Sequence, residues 1–163
     1  MAEWVPRAEW IRTQPQALIA ACVFVRDEHD RVLLLRYGPG QPVAGEWWLP
    51  GGMLDHGEDP LTAARREMLE ETGIVLGPAL RFLGIDHRAD VDGTGPVLDC
   101  FFDGGILAEE TAVRLSDEHD RHALVSVQEL AATPLVASPA TLVALHSAAS
   151  SGSCAYLREG APV

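Results

Sequence analysis

The chain is poor in positive charge. Twelve Lys and Arg side chains stand against 24 Asp and Glu, a formal net charge of −12. DNA and long RNA demand a basic surface, so this balance argues against a nucleic-acid polymer as partner. It fits a protein that meets anionic ligands only through bound cations. Cysteine is scarce too: Cys22, Cys100 and Cys154 are odd in number, widely spaced and without a CxxC pair. They suggest reduced thiols in a cytoplasmic protein, and none is assigned a function. No apolar run approaches the ~20 residues that span a membrane, and no signal-type hydrophobic region opens the chain. Repeats of solenoid length are missing as well. The loop Gly38-Pro39-Gly40-Gln41-Pro42 lacks the Gly-Lys-Ser/Thr of a P-loop and does not complete a dinucleotide GxGxxG, so both are rejected.

What is present describes an ordinary globular domain with a sizeable core: 163 residues, 47% hydrophobic and 22% charged. Residues 1–15 read as an irregular arm, with Trp4 and Trp10 in a repeated Ala-Glu-Trp unit and Pro6 and Pro15 breaking any helix. Such an arm would pack on the body or on a dimer partner, or stack an indole on a base. Residues 16–150 read as one domain and 151–163 as a C-terminal tail. Ala17 to Arg26 is a near-continuous apolar run, a buried strand, and Val32 to Tyr37 returns after a turn to form a hairpin. Leu80 to Asp90 and Val97 to Leu107 form a second strand pair around Asp92-Gly93-Thr94-Gly95. Ala123 to Val127 is a further strand, Val127 to Ala132 a helical turn, and Ser138-Pro139 starts a helix to about Ala149.

Between the first two strand pairs lies the stretch that carries chemistry. Asp59-Pro60 is a helix start and Gly73 a helix stop, bounding about four turns. On that helix Glu67, Glu70 and Glu71 fall within an arc of about 100°, with Arg66 on the flank, while Leu61, Met68 and Leu69 point toward a core. Three like charges on one arc repel, and a hard divalent cation relieves them. A solvated acidic face is the plainer explanation for a Glu-rich helix, and the spacing decides against it. Gly52, Glu58, Arg66-Glu67, Glu70-Glu71, Gly73 and Ile74 match every fixed position of the Nudix box, so the chain resembles a Nudix hydrolase over residues 52–74. Met68, where a branched aliphatic is usual, is the one mild departure.

The resemblance implies an α/β fold, an α/β/α sandwich with a mixed β-sheet and the box helix against it. It implies metal-dependent hydrolysis of a diphosphate bond in a nucleoside diphosphate linked to another group. The alternative is a silent ligand-sensing or interaction module, which intact box residues disfavour. Mg²⁺, with Mn²⁺ as alternative, would be held by Glu67, Glu70 and Glu71, by the Gly51 carbonyl and by a loop carboxylate ahead of the last strand. Glu118 is chosen for the last, against Asp117 or none. Glu67 and Glu118 both stand as general base, Glu71 and Arg66 complete the catalytic set, and Glu58 with Gly52 and Gly73 is structural.

Arg36 is a candidate for a substrate phosphate and Trp47 for a base. Surface exposure explains Arg36, and core packing Trp47, Trp48 and Phe82, at least as well. His87 and Asp90 line either the cleft or an exposed strand, and His119 with His122 lacks a third ligand for zinc. Where related enzymes carry a proline for ADP-ribose or a tyrosine for dinucleoside polyphosphates, this chain has Ala89 and Asp90. That favours a nucleoside triphosphate or a less typical small nucleotide. A homodimer is expected from family habit.

Overall fold

Burial on both faces explains why the first strand is apolar almost without interruption. The computed structural model describes residues 4–91 and 93–163; the first three residues of the arm and Asp92 of the expected turn lie outside them. In chain order the elements are α1 (Arg7–Ile11), β1 (Leu18–Asp27), β2 (Val32–Tyr37), β3 (Trp47–Trp48), β4 (Gly51–Met53), α2 (Pro60–Thr72), β5 (Arg81–Arg88), β6 (Val97–Leu107) and β7 (His119–Val125). A 3₁₀ turn (Leu130–Ala132), α3 (Pro139–Ser151), β8 (Ala155–Arg158) and β9 (Ala161–Pro162) follow.

The strands make one mixed sheet in the order β3-β2-β1-β6-β5-β8-β9, with β4 added on β1 and β7 on β2. β1 runs parallel to β6 from Leu18 opposite Val97 to Asp27 opposite Leu107. Cys22 and Phe24 pack with Leu142, Leu145 and Ala148 of α3. Ala21, Val23 and Val25 pack on the other face with Ala63, Ala64 and Met68 of α2. A sheet covered on both faces produces such unbroken apolar runs. The α/β/α sandwich is therefore present, with the box helix on one side.

The box helix is bounded as its sequence implies. Asp59 Oδ1 accepts from the N–H groups of Leu61 (2.9 Å) and Thr62 (3.2 Å), Pro60 occupies the first turn, and Gly73 closes the helix at φ 71°. Its core face differs from the expectation. Met68 is fully buried, but Leu61 and Leu69 are 37% and 49% exposed, and the stripe against the sheet is Ala63, Ala64, Met68, Glu71 and Thr72. Leu61 belongs to the first turn, and Leu69 lies about 100° round from Met68.

Three further expectations are corrected, and the expected β1–β2 hairpin is present but short. Pro6 caps α1 instead of breaking a helix, although that helix buries none of its residues. The hairpin of β1 and β2 is joined at Arg26 opposite Val32, beyond which β4 takes the edge of β1 and β7 pairs along β2. β7 begins earlier than expected, at His119. The segment read as a tail is ordered: α3 runs on to Ser151, and β8 pairs parallel with β5. Leu157 of β8 is fully buried, and the Gly160 N–H donates to Asp86 Oδ2 at 2.9 Å. Leu157, the one buried side chain of a strand whose neighbours Tyr156 and Arg158 are exposed, makes no apolar pattern in the sequence.

Candidate active site

The site forms where the last turns of α2 meet β4. β4 is held against β1, with Gly51 opposite Cys22 and Gly52 opposite Ala21. A Cβ on Gly51 would come within 2.4 Å of the Ala21 carbonyl oxygen, and one on Gly52 within 2.6 Å of Glu67 Oε1. Gly51 is thus required by its close approach to backbone, whereas Gly52 leaves room for the Glu67 carboxylate. The Gly51 N–H donates to Glu71 Oε2 at 2.8 Å, tying the strand to the helix.

Arg66 is the hub of the carboxylates. Its Nε donates to Glu58 Oε1 (3.0 Å) and its Nη2 to Glu58 Oε2 (2.8 Å) and the Met53 carbonyl (3.2 Å). Nη1 donates to Glu67 Oε1 (2.7 Å) and Glu70 Oε2 (3.2 Å). Glu58 also accepts from the Asp55 N–H at 3.0 Å, which closes the loop ahead of the helix. The Arg66 bonds hold the Glu58 carboxyl below its usual range.

Glu71 is buried, and burial first, then the charges of Glu67, Glu118 and Glu70, push its carboxyl up to about 8. Burial also raises Glu67, against the opposing hydrogen bond from Arg66. Glu118 is exposed in the turn before β7 and belongs to the same electrostatic neighbourhood. Among the described residues, no three His, Cys, Asp or Glu side chains form a ready metal cage. Arg66 engages both Glu67 and Glu70, and Gly51 engages Glu71. The donor set nevertheless suits Mg²⁺ or Mn²⁺: hard oxygens, with a buried carboxylate whose ionised form is costly without a cation.

The other sequence-derived residues fall elsewhere. Arg36 forms a two-pronged pair with Asp120, Nε to Oδ1 at 2.7 Å and Nη2 to Oδ2 at 2.5 Å, so its charge is already engaged. Trp47 is half-buried against the core on the α3 side, its backbone N–H donating to the Pro134 carbonyl at 2.9 Å. Trp48 is buried in that core, and Phe82 is 43% exposed with an edge contact to Phe102. His87 and Asp90 do not approach the box carboxylates through any hydrogen bond; Asp90 instead accepts from Gly93 and Gly95 in its own turn. The three cysteines are free thiols.

Sequence reasoning weighed His119 only as a zinc ligand beside His122; it is 6% exposed, with its Nε2 3.8 Å from Glu71 Oε1. Placing the strand start at Ala123 left it in a loop.

The sequence profile of the NUDIX domain matches residues 16–145. The chain belongs to the Nudix family. Among curated relatives, the CMP-5'-(N-acetyl-N-hydroxy-3-aminopropyl)phosphonate hydrolase of Streptomyces rubellomurinus is 43% identical over 54 residues, 33% of this chain and 26% of that protein. The match thus spans about a quarter of the relative's length. Among solved structures, the MutT protein of Methanosarcina mazei superposes with a TM-score of 0.70 at 26% identity, over 85% of this chain and 97% of the other. The NUDIX domain of Shewanella oneidensis NrtR, solved with ADP ribose, gives 0.67 at 19% identity over 91% and 99%, a likeness of fold. This Nudix domain has no helix, among its described residues, long and apolar enough to cross a membrane.

Proposed function

We propose that this Nudix domain is a pyrophosphohydrolase, cleaving the diphosphate bond of a nucleoside diphosphate linked to another group. A nucleoside triphosphate or related small nucleotide is the favoured substrate. The observation that carries the reading is Glu71: a buried carboxylate fixed by the Gly51 N–H, beside Glu67 and Glu70, both bridged by Arg66. Glu67, Glu70, Glu71 and Glu118 would hold Mg²⁺ or Mn²⁺, which when bound neutralises the diphosphate and makes a water more acidic. Arg66 orients Glu67 and Glu70 and keeps Glu58 folded over the helix start. Glu67 or Glu118 takes the proton from the attacking water. The nucleotide relatives, a CMP-linked phosphonate hydrolase and a domain solved with ADP ribose, support a nucleotide-linked substrate.

The test is phosphate release from nucleoside triphosphates, nucleoside diphosphate sugars, ADP-ribose and dinucleoside polyphosphates, with coupled pyrophosphatase and phosphatase, with and without Mg²⁺ or Mn²⁺. Metal-dependent turnover of one class is expected. Loss of less than about tenfold for both Glu70→Gln and Glu71→Gln would overturn the residue assignment. Silence across the panel, with metal binding demonstrated, would favour a ligand-sensing module.

A further inference from the structure

We propose that His119 is a positioning residue for this site: from the loop-to-β7 junction its imidazole sets the rotation of the Glu71 carboxylate. The inference rests on the hydrolytic reading above. Glu71 Oε2 is fixed by one N–H, from Gly51. A carboxylate held at one oxygen keeps a broad terminal torsion. A second group facing the other oxygen narrows it, and His119 Nε2 faces Glu71 Oε1 at 3.8 Å with both side chains nearly sealed from solvent.

The imidazole is itself contacted on two sides, and the loop that carries it is anchored. Its ring lies 4.9 Å from the Tyr37 ring, and its Nδ1 lies 3.4 Å from Ser116 Oγ. The loop that delivers it is clamped to the end of α2: the Arg114 N–H donates to the Thr72 carbonyl at 2.8 Å and the Ser116 N–H to the Glu71 carbonyl at 3.3 Å. The same loop therefore grips Glu71 by its backbone and confronts it with a ring nitrogen. At 3.8 Å the approach is longer than a direct hydrogen bond. A small side-chain rotation closes it, as catalytic contacts tighten when a site fills. Partners of this kind behind a ligating carboxylate set its orientation, and their loss typically weakens metal binding about 10- to 100-fold.

The test uses two variants of the full chain. His119→Phe keeps the ring against Tyr37 and removes both nitrogens; His119→Gln restores a hydrogen-bonding group near Nε2. Mn²⁺ affinity is read directly from the free ion's electron paramagnetic signal, beside kcat, KM and thermal melting. The Phe variant should bind Mn²⁺ about tenfold more weakly, with kcat lowered similarly, KM nearly unchanged and an unaltered melt. The Gln variant should recover most of both losses. Wild-type Mn²⁺ affinity in the Phe variant, or equal impairment in Gln and Phe, overturns the inference. Should Phe fail to fold, His119→Met is judged by the same criterion. A wild-type protein that neither binds Mn²⁺ nor turns over any substrate overturns the hydrolytic reading itself, whereas normal wild-type behaviour with an unimpaired variant overturns only the role of His119.

Discussion

Arg66 grips Glu58 with two nearly parallel hydrogen bonds, Nε to Oε1 at 3.0 Å and Nη2 to Oε2 at 2.8 Å, eight residues apart in the chain. The remaining nitrogen, Nη1, spans Glu67 and Glu70. One guanidinium thus fixes the loop and two carboxylates together. Lysine carries the charge but not the fork. Arg66→Lys should lower kcat by about tenfold or more while the fold persists, read by steady-state kinetics beside circular dichroism.

Gly51 and Gly52 are adjacent but should fail differently. A methyl group on Gly52 meets the end of the Glu67 side chain, which can swing away. Gly52→Ala should therefore melt near wild type yet lose on the order of a hundredfold in activity through a displaced carboxylate. On Gly51 the methyl meets backbone, Ala21 O at 2.4 Å and Cys22 Cα at 2.6 Å. Gly51→Ala should destabilise the protein by about 1–3 kcal/mol, measured by urea denaturation.

Glu71 gives a pH signature. Its carboxyl is pushed up to about 8 from an ordinary 4.5, so between these values the folded chain holds a proton that the unfolded chain releases. In chelator, wild-type stability should fall as pH rises across that window. Glu71→Gln removes the effect: it should melt above wild type at pH of about 8, and the difference should vanish as pH approaches the ordinary carboxylate value. Added Mn²⁺ should raise the wild-type melt and leave the variant's nearly unmoved. Scanning calorimetry across pH reads all three outcomes.

Leu157 tests the C-terminal strands. It is fully buried and packs in the core with Leu83, Leu142 and Leu145. Leu157→Ala should cost about 2–5 kcal/mol in denaturant titration. A flexible tail would show almost none of that loss.

The box and its helix were legible in the sequence because their signals are local: an Asp59-Pro60 start, a Gly73 stop, and carboxylates at fixed spacing. The apolar run of β1 likewise announced a buried strand. The local pairs were legible, β1 with β2 and β5 with β6; the long-range pairing was not, because β1 finds its parallel neighbour β6 far along the chain. Nor were the tertiary partners of charged side chains: Arg36, a phosphate candidate or a surface arginine in the sequence, pairs with Asp120, 84 residues away. His119 escaped for a related reason, since its importance lies in facing Glu71 and nothing in its neighbours says so. Leu61 and Leu69 show that helical periodicity names a face without saying how far the sheet extends beneath it.

The sheet ends at β9, two residues that include Pro162. Proline offers no N–H, so the outermost ladder is interrupted where another chain's strand would dock. At the opposite end β3 is equally short, Trp47–Trp48. An incoming strand finds no long, flat template at the β9 border, which makes the antiparallel β8–β9 hairpin a safeguard against edge-to-edge aggregation there.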